Sequence, residues 1–363
     1  MAGFIGIGQR SAWAGVGGLA LLILAWAGAR AAAAKPAAAT PRFTLPAACE
    51  IGRDCFIQNY VDHDPGPGRL DFACGRLSYE GHKGTDVRLP DYRAMERGVA
   101  VLAAADGVVR AVRDGMEDVN IRTTGPEAVK NREAGNSVVL MHGNGWETQY
   151  GHMKRGSVAV KPGDRVRAGQ PLGEIGLSGF TEFPHVHFEV RHEGRAVDPF
   201  TGKGMDAAGA PACPPGGRPA TVAAGAAPPE DGTMWVRPED LRYIETALLS
   251  VGLAVERPEP EQARRGAYDM EALPADAPLL VVWTDVMGAL AGDRRRVRIL
   301  DEAGRALFDH EETQKDSKVS QFAFAGLRRP KEGWPSTGSL RAVVTLTRDG
   351  RPFAEMERRL PVR

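Results

Sequence analysis

Four of the eight histidines fall in three short motifs: His82-Lys83-Gly84-Thr85-Asp86, Tyr150-Gly151-His152-Met153, and Pro184-His185-Val186-His187-Phe188-Glu189-Val190. In the third motif Val186, Phe188 and Val190 alternate with His185, His187 and Glu189. That is the period of a strand with one face in a core and the other presented to a groove. Two imidazoles then stand about 7 Å apart along the strand, so one is free to bind metal while the other moves protons. His82 and Asp86 lie four apart, but Gly81, Gly84 and Pro90 around them do not support a helix. On an extended or turned backbone the pair converges with His187 on one ion. Two histidines, an aspartate and an open fourth position describe a catalytic zinc better than a closed structural one. Such a centre lowers the pKa of its bound water to about 7 and polarises an amide carbonyl, which points to hydrolysis. His152 and His185 remain to orient or deprotonate the water and to stabilise the oxyanion. His63, His142, His192 and His310 read as ordinary hydrogen-bonded side chains.

The elements that must position these residues read as mainly β. Gly (44) and Pro (26) are frequent in the 363 residues and aromatics are modest, a composition of turns and short strands. Residues 137–141 and 146–152, joined by His142-Gly143-Asn144-Gly145, form a hairpin. The stretch 161–176, with Lys161-Pro162-Gly163-Asp164 and Gln170-Pro171-Leu172-Gly173, has the turns of a small barrel. Its likeness to a biotinyl or lipoyl carrier is discarded because no Met-Lys-Met attachment lysine occurs. Residues 204–232 are Ala, Pro or Gly at 21 of 29 positions with no hydrophobic period, hence a linker. Beyond it, Leu241, Ile244, Leu248 and Leu249 at helical spacing predict a helix over 238–251, started by Pro238 and Glu239. The runs 279–284, 296–300, 319–324 and 340–347 predict strands of a β-sandwich, with a hairpin turn at Arg348-Asp349-Gly350-Arg351.

The three motifs, in this order, resemble the lysostaphin-type zinc metallopeptidases, the family that includes LytM. The resemblance covers about 79–200, including the barrel-like strand 101–109 and the turns of 162–176. It implies an antiparallel sheet forming a narrow groove, zinc held by His82, Asp86 and His187, His152 and His185 as catalytic histidines, and peptidoglycan stem or bridge peptides as substrate. The expected fold is thus an antiparallel-sheet, barrel-sandwich catalytic domain over 41–203, followed by a smaller β-sandwich with one helix over 233–363. Where the family has a small Thr-Gly pair this chain has Glu182-Phe183, so a bulkier and more acidic groove wall is expected. The polar stretch 114–136 is longer than the family's connection and reads either as a groove-lining lid or as a solvated loop. In some family members an upstream Asn fills zinc's fourth position in a latent form, a role open to Asn59.

The 46 basic and 46 acidic side chains cancel, so no global field collects nucleic acid or an anionic membrane. Arg10 followed by the apolar run 12–27 reads as a signal peptide over 1–34, with small-residue cleavage sites near 27–29 or 31–34. An uncleaved anchor is the alternative. Either way the body is exported, with a periplasm as the fitting compartment and no stable membrane insertion after cleavage. Export favours disulfides among Cys49, Cys55, Cys74 and Cys213. Of three pairings, a local Cys49–Cys55 loop with Cys74 joined to Cys213 is preferred. A non-hydrolytic wall-binding or regulatory protein on the same fold is the competing reading, and the presence of all five site residues counts against it. An amidase uses the same zinc chemistry. For the C-terminal region, docking to an envelope protein or to the wall competes with a structural role in which Trp283 and Trp334 are core aromatics.

Overall fold

The computed structural model describes residues 40–205, 227 and 232–362. The expected signal peptide, most of the linker and Cys213 lie outside them. The described residues belong to one compact unit, Ala39–Arg363, and no described helix is long and apolar enough to cross a membrane.

The first half is built from β1 (Phe56–Asn59), β2 (Thr85–Arg88), β3 (Ala100–Leu102), β4 (Gly107–Arg113), β5 (Asn136–Gly143), β6 (Trp146–Met153), β7 (Arg165–Val166), β8 (Pro171–Glu174), β9 (His185–His192), β10 (Arg195–Asp198) and β11 (Lys203–Gly204). Its antiparallel sheet runs β1-β2-β9-β6-β5-β4-β7, with β10 and β11 continuing from β9 and β3 pairing β8 apart. The sheet stays open, so the barrel element of the expectation is realised as turns around a sheet rather than a closed cylinder. The β5–β6 hairpin forms as read, its turn using left-handed backbone at Gly143, Asn144 and Gly145. The core lies under one face of the sheet, where Val87, Tyr150, Val186, Phe188 and Val190 are buried. Two short helices, α1 (Tyr92–Glu96) and α2 (Ile121–Thr124), flank it.

Past the linker the chain returns to this same core. Phe43 pairs with Trp235, Met234 N–H donates to the Pro199 carbonyl at 2.8 Å, and Trp235, Leu241 and Tyr243 pack with Phe43, Tyr60 and Phe200. Residue 238 begins a 3-10 turn, Pro238–Asp240, and the segment expected as a helix over 238–251 becomes β12 (Ala247–Ala254). The apolar spacing misled because its residues serve different neighbours: Leu241 fills the first core, while Leu248 and Leu249, adjacent on a strand, enter two different clusters.

The C-terminal half adds a short helix, α3 (Pro260–Arg264), then β13 (Leu279–Ala289), β14 (Arg294–Leu300), β15 (Ala306–Thr313), β16 (Lys318–Arg328), β17 (Ser339–Arg348) and β18 (Arg351–Pro361). Sheets β12-β13-β16 and β15-β14-β17-β18 enclose a second core of Val282, Val286, Val297, Ile299, Trp334 and Val344. This is the expected sandwich, and Trp283 and Trp334 are core aromatics, both buried. The Arg348–Arg351 turn forms with positive φ at Asp349 and Gly350. Cys49 and Cys55 are joined as read. Cys74 is also disulfide-bonded.

Candidate metal centre

Three adjacent strands bring the motifs together. β2 pairs with β9 so that Asp86 lies opposite His187 and Arg88 opposite His185. On the other side of β9, Gly151 of β6 lies opposite His187 and Gln149 opposite Glu189. The pleat therefore sends Asp86, His185 and His187 to the face away from the core. His82 precedes β2 in a turn whose N–H donates to the Tyr79 carbonyl at 3.0 Å.

The ligand atoms form a tight triangle. His82 Nε2 lies 3.2 Å from Asp86 Oδ1 and 3.2 Å from His187 Nδ1, and His187 Nδ1 lies 2.8 Å from Asp86 Oδ1. Tetrahedral bonds of about 2.0–2.1 Å place ligand atoms about 3.3 Å apart, so this donor set fits a zinc-sized ion with little movement. Among the described residues this is the one such group of His, Cys, Asp and Glu. His82 Nδ1–H donates to the Tyr60 carbonyl at 2.7 Å, which fixes the tautomer and turns Nε2 to the centre. Gly84 is required by contact: a Cβ there would stand 2.6 Å from His187 Cε1 and 2.8 Å from the Phe188 carbonyl oxygen.

The other two motif histidines complete the cluster. His152, next to last in β6, has left-handed backbone at φ 57°, its N–H donating to the Ala134 carbonyl at 2.8 Å. Its Nδ1–H donates to the Ser178 carbonyl at 2.8 Å, leaving Nε2 as the acceptor nitrogen. The His152 and His185 rings are 4.5 Å apart. His185 Nδ1 lies 2.9 Å from the Phe183 carbonyl and 3.1 Å from Thr181 Oγ1, while Nε2 faces Asp86 Oδ1 at 3.5 Å.

Electrostatics follow from burial and mutual charge. Burial pushes the Asp86 carboxyl up, but the charges of His82 and His185 and hydrogen bonds from His185 and His187 outweigh it and hold it well below the usual carboxylate range. Burial, joined by the charges of His185 and His187, pushes the His152 imidazolium well below its ordinary value. For His82 burial acts downward and the Asp86 charge and hydrogen bond more than reverse it.

A cleft of about 380 Å³ opens onto the cluster, lined by Tyr79, Lys83, Gln149, Phe180, Glu133 and Glu189 besides His82, His152 and His187. Glu182 and Phe183 do not line it, which corrects the expected groove wall: Glu182 pairs with Arg122 at 2.7 Å and Phe183 packs against His185. From the long connection only Glu133 and Ala134 reach the cleft. Lys130 pairs with Glu127 beside it.

Sequence reading missed the residues that hold the histidines. Ser178 Oγ donates to the Met153 carbonyl at 2.7 Å and accepts Asn136 N–H at 2.9 Å, tying the turn that presents its own carbonyl to His152. Thr181 Oγ1 donates to the Phe183 carbonyl at 2.9 Å and lies 3.1 Å from His185 Nδ1, steadying the turn that presents the Phe183 carbonyl to His185. Neither Ser178 nor Thr181 stands in a motif of chemical residues, and their function lies in main-chain geometry. Asn59 has a place other than the one considered: it donates to the outer oxygen of Asp86. Of the histidines outside the motifs, His63 is hydrogen-bonded as expected to Asp198 at 2.6 Å, His142 to the Asp106 carbonyl at 2.7 Å and His192 to the Asn144 carbonyl at 3.2 Å, while His310 has a ring contact with Phe308.

Residues 80–199 match peptidase family M23. The chain carries an M23 domain. An uncharacterized metalloprotease of Haemophilus influenzae is 32% identical over 137 residues, 38% of this chain and 24% of that protein. Peptidoglycan DD-endopeptidase ShyA of Vibrio cholerae is 33% identical over 132 residues, 36% of this chain and 25% of its own length. Among solved structures, a zinc-containing peptidase from Vibrio cholerae is 28% identical, with 43% of this chain and 39% of that chain covered and a TM-score of 0.29. The chain thus spans about a quarter of the length of the curated relatives it matches. All five motif residues fall within the M23 domain, whereas Asn59 and Tyr60 stand upstream of it.

Proposed function

We propose that this chain is an exported zinc metalloendopeptidase that hydrolyses amide bonds in peptidoglycan cross-link peptides. The observation that carries the reading is the convergence of His82 Nε2, Asp86 Oδ1 and His187 Nδ1 within 3.2 Å of one another at a cleft that His152 also lines, with the His185 ring 4.5 Å behind that of His152. The M23 match and the peptidoglycan endopeptidase among the relatives support the substrate class. Residues 1–34 serve as the export signal to the periplasm, 41–203 with the returning stretch 233–243 form the catalytic region, 204–232 the linker, and the sandwich up to 363 follows.

A zinc ion held here would supply Lewis-acid chemistry, making water nucleophilic near neutral pH and polarising an amide carbonyl. His82, Asp86 and His187 would hold the ion, and the Tyr60 carbonyl and Asn59 fix two of those side chains in orientation. His152, with Nδ1–H committed to Ser178, offers its Nε2 lone pair to the attacking water and takes its proton. His185, held at Nδ1 by Phe183, turns Nε2 to the carbonyl oxygen and stabilises the charge that develops there. Tyr79 and Phe180 give apolar walls to a peptide lying in the cleft.

The test is zinc content and sacculus digestion of the full chain beside His187→Ala and His185→Ala, with released muropeptides weighed. The wild type is expected to hold one zinc and release cross-link fragments, His187→Ala to lose metal, and His185→Ala to keep metal without activity. Zinc binding without digestion would favour the regulatory reading, and release of sugar-free peptides by cleavage of the amide nearest the glycan would make the enzyme an amidase.

A further inference from the structure

Asp285 is a fully buried carboxylate in the middle of the apolar strand β13. On one side Arg264 of α3 grips it through two nitrogens, at 2.7 and 2.9 Å. On the other, Arg88 Nη2 reaches it at 3.3 Å. Arg88 belongs to β2, is itself 1% exposed, and lies two residues from Asp86 and opposite His185 in register. Its second fork nitrogen donates to Gln58 of β1, and its guanidinium stands 4.5 Å over the Phe183 ring, which packs on His185.

Packing alone does not call for such a group. Buried charges are costly, and apolar residues of the same volume often serve stability as well or better. What the triad adds is direction: the bidentate, planar grip of Arg264 fixes Asp285, and Asp285 and Gln58 between them fix where the Arg88 side chain, and so its strand, can lie. A second line of contacts runs the same way. Arg265, next to α3, stands 4.3 Å over the Tyr92 ring. Asn120 donates to Tyr92 Oη at 3.2 Å and to the Glu182 carbonyl at 2.9 Å, in the loop that carries Thr181 to His185.

We infer that Arg264, Asp285 and Arg88 are positioning residues through which the C-terminal sandwich sets the geometry of the β2–β9 pair bearing the metal ligands. The sandwich is then a working part of the M23 site, not only an appendage to it. The inference rests on the proposed metal reading solely for its zinc readout.

The experiment uses the full chain as wild type, Asp285→Asn, Arg264→Gln and the charge-retaining Arg264→Lys. Amide exchange is followed in metal-free protein at 85–88 and 185–188, with 138–140 of β5 as the remote reference, and zinc affinity is measured by chelator competition. Asp285→Asn is expected to speed exchange at 85–88 and 185–188 about tenfold more than at 138–140 and to weaken zinc about tenfold. Arg264→Gln should do so to a lesser degree, and Arg264→Lys, which keeps the charge but not the two-nitrogen fork, should recover only part of the wild-type behaviour. Uniformly faster exchange, or wild-type exchange at 85–88 with unchanged zinc affinity, overturns the inference and leaves the triad as a bolt between sheets. Should Asp285→Asn fail to fold, Arg264→Gln against Arg264→Lys decides by the same two readouts. Should the wild type bind no zinc, the metal reading fails and the exchange pattern alone decides this inference.

Discussion

Asn59 donates its side-chain N–H to Asp86 Oδ2 at 2.8 Å, while Asp86 Oδ1 faces His82 and His187. The β1–β2 pairing makes this contact, since Asn59 lies opposite Asp86 in register. Such outer partners orient a ligand, and losing one costs about 10–100-fold in metal affinity. Asn59→Ala is therefore expected to weaken zinc by at least about tenfold in chelator competition and to recover activity at saturating zinc. An unchanged affinity would remove Asn59 from the site, and a shortened lag before activity would instead revive a latency role.

Gly84 sits beneath the His187 ring, where a Cβ would stand 2.7 Å from Nε2 and 2.8 Å from a main-chain oxygen. Overpacking against backbone costs about 1–3 kcal/mol. Gly84→Ala should lower the melting temperature and abolish stoichiometric zinc binding together. Full zinc occupancy in the variant would show that His187 has room to move.

Tyr79 and Phe180 are 50% and 53% exposed, large rings left open to solvent at the mouth of the cleft. Apolar burial of this size is worth about 1.5–3 kcal/mol, so truncating either ring to Ala should raise KM about tenfold or more with a smaller change in kcat. The Tyr79 ring also packs on His82 at 4.4 Å, so zinc content must be checked beside the kinetics. A fall in kcat alone would contradict the substrate-wall role.

Burial pushes the His142 imidazolium below its ordinary value, against the pull of the Asp106 carbonyl and the charges of Asp106 and Glu147. The unfolded chain then binds the proton more readily, and stability rises with pH. The contribution is complete above the unfolded value of about 6.5 and is lost as pH falls through the lower folded value. Urea midpoints at pH 8 and pH 5 should differ less for His142→Gln than for the wild type. An equal difference would assign the acid sensitivity elsewhere.

The parts of this molecule that obey a period were legible. Alternation in 184–190 named the strand, its buried face and its metal face, and the Asp349-Gly350 turn announced its hairpin. What escaped is what depends on partners distant in sequence. Leu241 and Leu248 look like one helix face because spacing does not say that one belongs to the first core and the other to the second. Ser178 and Thr181 act through carbonyls and turns, which residue type does not reveal. Asp285 did leave a sign, a carboxylate inside an apolar run, but which arginines answer it is decided by the packing of two sheets some two hundred residues apart in sequence.

The stretch 204–232 leaves from and comes back to one place: a Cβ on Gly202 would stand 2.5 Å from the Gly232 carbonyl oxygen, and Thr233 Oγ1 donates to the Pro199 carbonyl at 3.2 Å. The described residues on its two sides are therefore neighbours, with no distance between them to be set. A protease nick within it would yield two fragments on a denaturing gel but a single particle on a sizing column, because Phe43 and Trp235, on opposite sides of the cut, remain stitched into the same core.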